Sequence, residues 1–218
     1  MEIAVAMSGG VDSSVAAALL VEAGHEVTGV TLRLWGGTSD SGCCSASDVD
    51  DARRVAQQLG IAHHVFNLAE EFNEAVVQPY IDGHAAGRTP NPCIECNRSI
   101  KFDLLLDRCR RLGFDRLATG HHARIVQRPD VPTFRLARGA DPLKDQSYVL
   151  SMLPASTIAA LSLPVGEMHK TEVREHAVRL GLRTAAKPDS QDVCFIRSDE
   201  GREGFLGSRL ELREGTVI

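Results

Sequence analysis

The sequence has few aromatic residues, little excess charge and no apolar run of membrane-spanning length. Aromatic side chains make up 5% of the 218 residues, and the net charge is −5. The missing apolar run excludes a transmembrane helix. The acidic N-terminus leads straight into a strand-like segment, so we expect no signal peptide and predict a cytoplasmic protein. The negative net charge argues against a uniformly basic nucleic-acid binder.

A framework of disulfides is also unexpected, because proteins without a signal peptide stay in reducing compartments, where cysteines remain thiols. The six cysteines are instead predicted to be reduced thiols, metal ligands or catalytic groups. Cys43 and Cys44 follow a polar loop (35–42) and are predicted to be loop thiols. Cys109 lies on the apolar face of a predicted helix, which indicates a core thiol.

Positive charge is concentrated in the middle of the chain. Residues 98–144 hold 11 basic and 5 acidic side chains (net +6), whereas residues 1–97 hold 4 and 13 (net −9). Residues 145–218 hold 9 and 11 (net −2). The basic middle third predicts a phosphate-facing patch, with an ordinary solvated surface as the alternative.

One glycine-rich loop organises the N-terminal part. The segment from Ser8 to Ser13 (Ser-Gly-Gly-Val-Asp-Ser) stands between a strand-like apolar run, 1–7, and a helical stretch, 13–23. Its amides converge at a helix N-terminus, which predicts an anion site. The loop lacks the lysine of a Walker A loop, but Asp12 is suited to hold Mg²⁺ beside a pyrophosphate. The alternative is a plain Gly-Gly turn.

Strand-like and helical segments alternate along most of the chain. Further strands are predicted at 26–34, 61–68 and 114–118, a hairpin at 123–127 and 133–137, and helices at 48–59, 70–80, 147–153, 156–161 and 171–180. This alternation predicts an α/β fold with a doubly wound parallel sheet. Ligands of such folds bind at the carboxyl ends of the strands, where the glycine loop lies.

A second informative segment surrounds two cysteines. Prolines precede Cys93 and are expected to bar a helix there, and Asn97 is predicted to cap the following helix. Cys96 would then lie just ahead of a helix N-terminus, with Arg98 and Lys101 nearby. Both effects would stabilise a thiolate at Cys96.

Five ordered motifs carry a family resemblance. The Ser8–Ser13 segment matches the pyrophosphate (PP) loop of the ATP pyrophosphatases. With four later segments, the chain resembles the tRNA-specific 2-thiouridylases, which replace the 2-oxygen of the wobble uridine by sulfur. These segments are Thr89-Pro-Asn-Pro-x-x-x-Cys-Asn-x-x-x-Lys-Phe102, Ala118-Thr-Gly-His-His122, Asp141-x-x-Lys-Asp-Gln-Ser-Tyr148 and Lys187-Pro-Asp-Ser-Gln-Asp-Val-Cys-Phe195.

The resemblance implies ATP and Mg²⁺ as cofactors and tRNA as substrate. The residues that it places at the nucleotide are Ala6, Met7, Ser8, Gly9, Gly10, Val11, Asp12, Ser13, Leu32 and Gly120. Those that it places at the tRNA are Asn91, Pro92, Cys93, Lys144, Asp145 and Gln146. It further implies that Cys194 carries a persulfide, that Cys96 is its catalytic partner in a disulfide, and that a persulfide carrier protein or cysteine desulfurase supplies the sulfur.

Cys93 departs from the family pattern, which has aspartate at this position. With Cys96 and Cys194 it offers three thiolates for a [4Fe–4S] cluster with one open iron; a zinc site is a weaker alternative. The resemblance divides the chain into a PP-loop catalytic domain, 1–198, and the start of a linker domain, 199–218, with the family's C-terminal β-barrel absent. Competing functions are another PP-loop RNA thiolase or ligase, and a non-catalytic module that binds ATP and metal.

Overall fold

The computed structural model describes residues 1–34, 45–128, 131–189, 192–197 and 199–211. The predicted loop at 35–42, Cys43 and Cys44, the centre of the hairpin turn, and Ser190 and Gln191 of the last motif lie outside the described residues. Ser198 and residues 212–218 also lie outside them.

A parallel sheet forms the centre of the molecule. Within the described residues its strand order is β3-β2-β1-β4-β7, and every adjacent pair is parallel. An antiparallel hairpin, β5-β6, stands beside it. The strands are β1 (Glu2–Ala6), β2 (Glu26–Arg33), β3 (Ala62–Asn67), β4 (Arg116–Thr119), β5 (Ala123–Arg128), β6 (Val131–Arg138) and β7 (Leu161–Ser162). The predicted fold class is confirmed.

Helices cover both faces of the sheet. Alternate residues of β1 enter different cores: Ile3 and Val5 pack on one side, and Ala4 on the other. This alternation is the period of a strand buried on both faces. The helices are α1 (Val11–Glu22), α2 (Ala46–Leu59), α3 (69–85, with π-helix at Asn73–Val77), α4 (92–111, with π-helix at Cys96–Leu105), α5 (Ala155–Ile158), α6 (Lys170–Arg179) and α7 (Gly201–Gly207).

The sheet order places the glycine loop at the point where the chain stops adding strands on one side of β1 and begins to add them on the other. From β1 the chain runs outward through β2 and β3, whereas β4 pairs on the opposite side of β1. The loops that follow β1 and β4 therefore meet at the carboxyl ends of adjacent strands, which is where α/β sheets bind ligands.

Two predicted elements differ in the structure. The predicted helices at 147–153 and 156–161 are short: a 3₁₀ turn occupies Ser147–Leu150, and α5 ends at Ile158 before the edge strand β7. Tertiary pairing of Leu161 with Leu117 of β4 draws this apolar stretch into the sheet. A segment too short to form a stable helix by itself takes the conformation that its tertiary contacts favour, whatever its intrinsic helix propensity.

The C-terminal described segment packs onto the main core. Phe205 of α7 is 1% exposed, and its ring centroid lies 5.2 Å from that of Phe195. The domain boundary after residue 198 stays a prediction. Among the described helices, none combines the length and the apolar character needed to cross a membrane.

Candidate active site

The glycine loop between β1 and α1 is closed by its own serines. The Ser8 amide donates to Ser13 Oγ at 3.1 Å, and the hydroxyls of Ser13 and Ser14 donate to the Gly10 carbonyl at 3.2 and 2.8 Å. Gly9 has φ +73°, and a Cβ there would lie 2.3 Å from the Asp48 carbonyl oxygen. Only glycine fits this turn against α2.

A lysine from the last motif fixes the outer side of the loop. Lys187 Nζ donates to the Gly9 carbonyl at 3.0 Å, to Asp48 at 2.6 Å and to Asp51 at 2.7 Å. Burial lowers the pKa of Lys187, but the two carboxylates outweigh it and hold that pKa above its ordinary value. The ammonium therefore stays charged and ties the loop to α2.

Asp12 is held by two partners from distant segments. Lys170 Nζ lies 2.7 Å from each Asp12 carboxylate oxygen, and His122 Nε2 lies 3.1 Å from Oδ1. Burial raises the pKa of Asp12, but the hydrogen bonds from His122 and Lys170 outweigh it, and the pKa stays below its ordinary value. An ionised carboxylate at this loop fits the oxygen-ligand chemistry of Mg²⁺, which commonly binds one or two carboxylates with substrate phosphates.

Lys170 is the functional residue that the sequence analysis missed. It begins α6, 158 residues after Asp12, and no local motif connects the two. Its side chain is 11% exposed and also lies 2.9 Å from Asp189. Lys170 thus brings to the loop an ammonium group, which is the element that the comparison with a Walker A loop showed to be missing.

Asp189 connects the loop with a predicted tRNA contact. It pairs with Lys144 at 2.8 Å and with Arg174 at 2.7 Å, in addition to Lys170. Burial raises the pKa of Asp189, but the hydrogen bonds from Lys144 and Lys170 prevail and hold the pKa far below its ordinary value. The same carboxylate therefore joins one residue of a predicted motif, Lys144, to two residues of α6, Lys170 and Arg174.

A cavity of about 320 Å³ opens at the carboxyl ends of the strands. Most of the predicted site residues line it: Ala6, Met7, Ser8, Asp12, Ser13, Leu32, Pro92, Cys93, Cys96, Gly120, Lys144, Gln146 and Cys194. The structure gives other positions to Gly9, Gly10, Val11, Asn91 and Asp145, which support the loops around it. Asn91 is the N-cap of α4 and accepts the Cys93 amide at 2.9 Å, and Asp145 accepts the Ser147 amide at 3.0 Å.

Gly120 lies against the glycine loop. A Cβ at this position would come within 2.5 Å of the Ser13 amide nitrogen and 2.6 Å of the Asp12 carbonyl carbon. The β4 end can approach the start of α1 this closely only because residue 120 has no side chain. The contact brings the predicted adenosine residue beside the predicted phosphate loop.

The predicted helix start near Cys96 is wrong. The helix begins at Pro92, with Asn91 as its N-cap, because proline is well tolerated at the first helical position. Cys96 lies inside α4, where the π-helix starts, and Asn97 is not a cap. Arg98 is no neighbour of the cavity, since it pairs with Glu95 at 2.7 Å on the exposed side.

Although the helix begins earlier than predicted, the π-helix still brings Lys101 close to Cys96, as the sequence analysis expected. Its i→i+5 bonding stacks residues five positions apart, so Lys101 comes onto the same side as Cys96. Both side chains line the cavity. Lys101 also acts on the buried His121, whose pKa is held well below its ordinary value by burial, by Lys101 and by His122. His121, which lines the cavity as well, is therefore neutral at neutral pH.

The segment that holds Cys194, the second predicted catalytic cysteine, packs against Cys93. The Val193 amide donates to Cys93 Sγ at 3.3 Å, and Val193 adopts φ +55°, a strained conformation for a β-branched residue. This turn places Cys194 on the cavity that Cys93 and Cys96 also line. Cys109, in contrast, is 1% exposed, and burial raises its pKa to about 11, which confirms the predicted core thiol.

The predicted iron–sulfur site is not assembled in this structure. Across the described ranges, no group of three or more His, Cys, Asp or Glu side chains is arranged to hold a metal ion. Cys93, Cys96 and Cys194 share the cavity wall without forming such a group.

Comparison with known proteins identifies the family. Residues 1–198 match the family described as the tRNA methyl transferase HUP domain. The chain belongs to this family. It is 48% identical over 232 residues to the tRNA-specific 2-thiouridylase MnmA of Geobacter metallireducens, covering 99% of this chain and 63% of that protein. The resemblance to the 2-thiouridylases is thereby confirmed, and the chain spans about 60% of the length of the curated relatives it matches.

Solved structures of this HUP-domain fold support the architecture. A 4-thiouridine synthetase–RNA complex with bound ATP matches with a TM-score of 0.60 at 19% identity, over 89% of this chain and 44% of that one. The U34-tRNA thiolase NcsA of Methanococcus maripaludis, with its [4Fe-4S] cluster, matches with a TM-score of 0.56 at 20% identity, over 87% and 60%. At these identities the likeness establishes the fold alone.

Proposed function

We propose that this protein catalyses the ATP-dependent 2-thiolation of the wobble uridine in tRNA. The observation that carries the proposal is the shared cavity, where the phosphate loop (Ser8 to Ser13) meets Cys96 and Cys194. Activation of an oxygen by ATP and its replacement by sulfur both require access to the same carbon atom. Because the chain spans only part of its 48%-identical relatives, the activity of the whole protein is part of this proposal.

The adenylation half uses the loop and its cationic partner. The uridine 2-oxygen attacks the α-phosphate of ATP, pyrophosphate leaves, and an adenylated uridine forms. The loop amides and Lys170 hold the departing phosphates, while Leu32 and Gly120 lie where the adenosine binds. Asp12 would hold Mg²⁺ once Lys170 turns from the carboxylate to the phosphates; the ion supplies further charge neutralisation on the phosphate oxygens.

The sulfur half uses two cysteines that line one cavity. Cys194 carries a persulfide delivered by a carrier protein or a cysteine desulfurase. In one sequence of steps, Cys96 attacks the Cys194 sulfur, a Cys96–Cys194 disulfide forms, and the released hydrosulfide attacks C2 as AMP departs. In the other, the terminal persulfide sulfur attacks C2 first, AMP departs, and Cys96 then attacks Cys194. Both sequences end in a disulfide that an external thiol must reduce.

The tRNA reaches the cavity along the predicted contact residues. A base within stacked RNA is inaccessible, so the target uridine must be turned outward. Pro92, Cys93, Lys144 and Gln146 all line the cavity. Asn91 and Asp145 hold the neighbouring backbone through the amides of Cys93 and Ser147. A cytoplasmic location, where tRNA is found, is part of this proposal.

The proposal is tested by separating the two half-reactions. Cys96→Ser and Cys194→Ser variants, incubated with ATP and a wobble-uridine tRNA, should still release AMP and pyrophosphate or accumulate the adenylate, but should form no thiouridine. Cys109→Ser is the matched control, because its thiol is buried away from the cavity, and it should retain thiolation. ATP binding without any tRNA-dependent turnover in the wild type would instead indicate a non-catalytic nucleotide-binding module.

A further inference from the structure

A second groove lies beside the candidate active site. It has a volume of about 490 Å³ and runs between the edge strand β6 and the segment that contains the 3₁₀ turn and α5. Its polar lining comes from Arg135, Arg138, Ser147, Tyr148 and Ser151. Of these residues only Tyr148 also lines the candidate active site, and none of them has been given a role above.

Tyr148 forms a wall between this groove and the catalytic cavity, because its side chain lines both. The pKa of Tyr148 is raised by burial and by the neighbouring charges of Asp192 and Cys93, two residues that line the catalytic cavity with it. The residue is nevertheless 48% exposed. In a chain with only two tyrosines, this exposed aromatic ring is a ready stacking surface.

The charge of the groove fits a polyanion. Arg135 and Arg138 of β6 are both exposed, and they belong to the basic third of the chain, 98–144, with its net charge of +6. Arginines beside an exposed aromatic ring are the combination that binds single-stranded nucleic acid, in which cations hold phosphates and rings stack on bases.

We propose that this groove binds the nucleotide next to the target uridine, with its base stacked on Tyr148 and its phosphate held by Arg135 and Arg138. The inference rests on the proposed function, because the target uridine occupies the catalytic cavity on the other side of Tyr148. A base that is turned outward separates from its neighbour, so the neighbour needs a stacking partner of its own. Tyr148 is positioned to replace the lost stack.

The test measures RNA binding rather than turnover. A fluorescein-labelled anticodon stem-loop RNA is titrated with the chain at low salt, beside two probes in which the nucleotide 5′ or 3′ of the uridine is abasic. Tyr148→Leu should weaken binding of the intact probe about tenfold, the range expected for one base stack. One of the abasic probes should bind Tyr148→Leu and the wild type with equal affinity, because it lacks the base that stacks on Tyr148. Tyr148→Phe keeps the ring and should bind the intact probe as the wild type does.

Two arginine variants test the phosphate contacts. Arg135→Gln should weaken binding and reduce the slope of log affinity against log salt by about one. Arg111→Gln is the control: its side chain is 79% exposed, and it lies at the end of α4, outside the lining of both the groove and the cavity. It should change neither quantity.

The outcomes separate this inference from the proposed function. Tight binding that is indifferent to Tyr148→Leu, or an equal loss for intact and both abasic probes, would overturn the neighbour-nucleotide site and leave the thiolation proposal standing. No binding of any probe to the wild-type chain would overturn the neighbour-nucleotide site, and the Cys96 and Cys194 variants would then decide the thiolation proposal separately. Loss of folding in Tyr148→Leu would show as a lowered melting temperature. In that case the binding of the abasic probes to the wild type decides the question alone. A roughly tenfold lower affinity for one of the two abasic probes than for the intact probe supports the site, and equal affinity refutes it.

Discussion

Replacing Lys170 by methionine is the most direct test of how the phosphate loop works. The substitution keeps the length and most of the apolar volume of the side chain but removes its ammonium group. That group lies 2.7 Å from both Asp12 oxygens and 2.9 Å from Asp189. If Lys170 turns to the phosphates when ATP binds, its removal should weaken ATP binding. If it only neutralises Asp12, its removal should free the carboxylate for Mg²⁺.

The magnitude follows from the contacts. One ion pair at this distance is worth about 6 kcal/mol at an effective dielectric constant of about 20, before the cost of desolvating both charges is subtracted. Asp12 keeps His122, and Asp189 keeps Lys144 and Arg174. We therefore expect a net loss of unfolding free energy of about 2 kcal/mol. For ATP, the loss of one charge-assisted hydrogen bond of about 1.5–3 kcal/mol predicts a Kd raised about 10- to 150-fold.

Calorimetric titration with ATP and with AMP, each with Mg²⁺, measures this effect. AMP has only the α-phosphate, so its affinity should change little if Lys170 addresses the phosphates beyond it. A Lys170→Arg variant keeps the charge and should recover part of the ATP affinity. An unchanged or tighter Kd for ATP in Lys170→Met would refute the phosphate role and leave Lys170 as a counter-ion of Asp12.

Two further predictions concern acid stability and iron. Asp189→Asn should lower the unfolding free energy by only about 1 kcal/mol at neutral pH, since the carboxylate is partly exposed. Because the folded-state pKa of Asp189 is depressed, its stabilisation is present above about pH 3.9, the unfolded-state value, and is lost as the pH falls below it. Urea denaturation should therefore show the stabilities of the variant and the wild type converging in acid. The persulfide sequence predicts no stoichiometric iron or acid-labile sulfide in anaerobically purified protein, and about four irons per chain, lost in Cys93→Ser, would establish the cluster instead.

Much of the fold was predictable because local signals and tertiary structure agree. The apolar run before Ser8, the two glycines and the following helix satisfy one another, and the strand–helix alternation permits few topologies. The errors fall where local signals are weak. The sequence analysis predicts that Pro92 bars a helix, but a proline in the first helical turn loses no helical hydrogen bond, and Asn91 caps this helix end. The two-residue strand β7 exists only through its pairing with β4.

The candidate site was predictable to the extent that its residues belong to contiguous motifs. The cysteines and the phosphate loop were found in this way, and most of them line the observed cavity. Lys170 was not found, because its partners Asp12 and Asp189 come from other segments and its own surroundings contain no motif. The side on which Lys101 lies depends on π-helical winding, which the apolar periodicity of the sequence does not reveal.

Asp189 gives a physical reason for housing both half-reactions in one fold. Its carboxylate binds Lys170 of the nucleotide site, Lys144 of the predicted tRNA contact, and Arg174 of α6. Phosphates of ATP and of tRNA are the natural competitors for the first two cations, so each substrate that binds must take a partner from the same carboxylate. Asp189 stands five residues before Cys194 in the segment that closes the cavity. Binding of both substrates would therefore leave Asp189 with Arg174 alone among these three cations, and we expect it to loosen the segment that leads to Cys194.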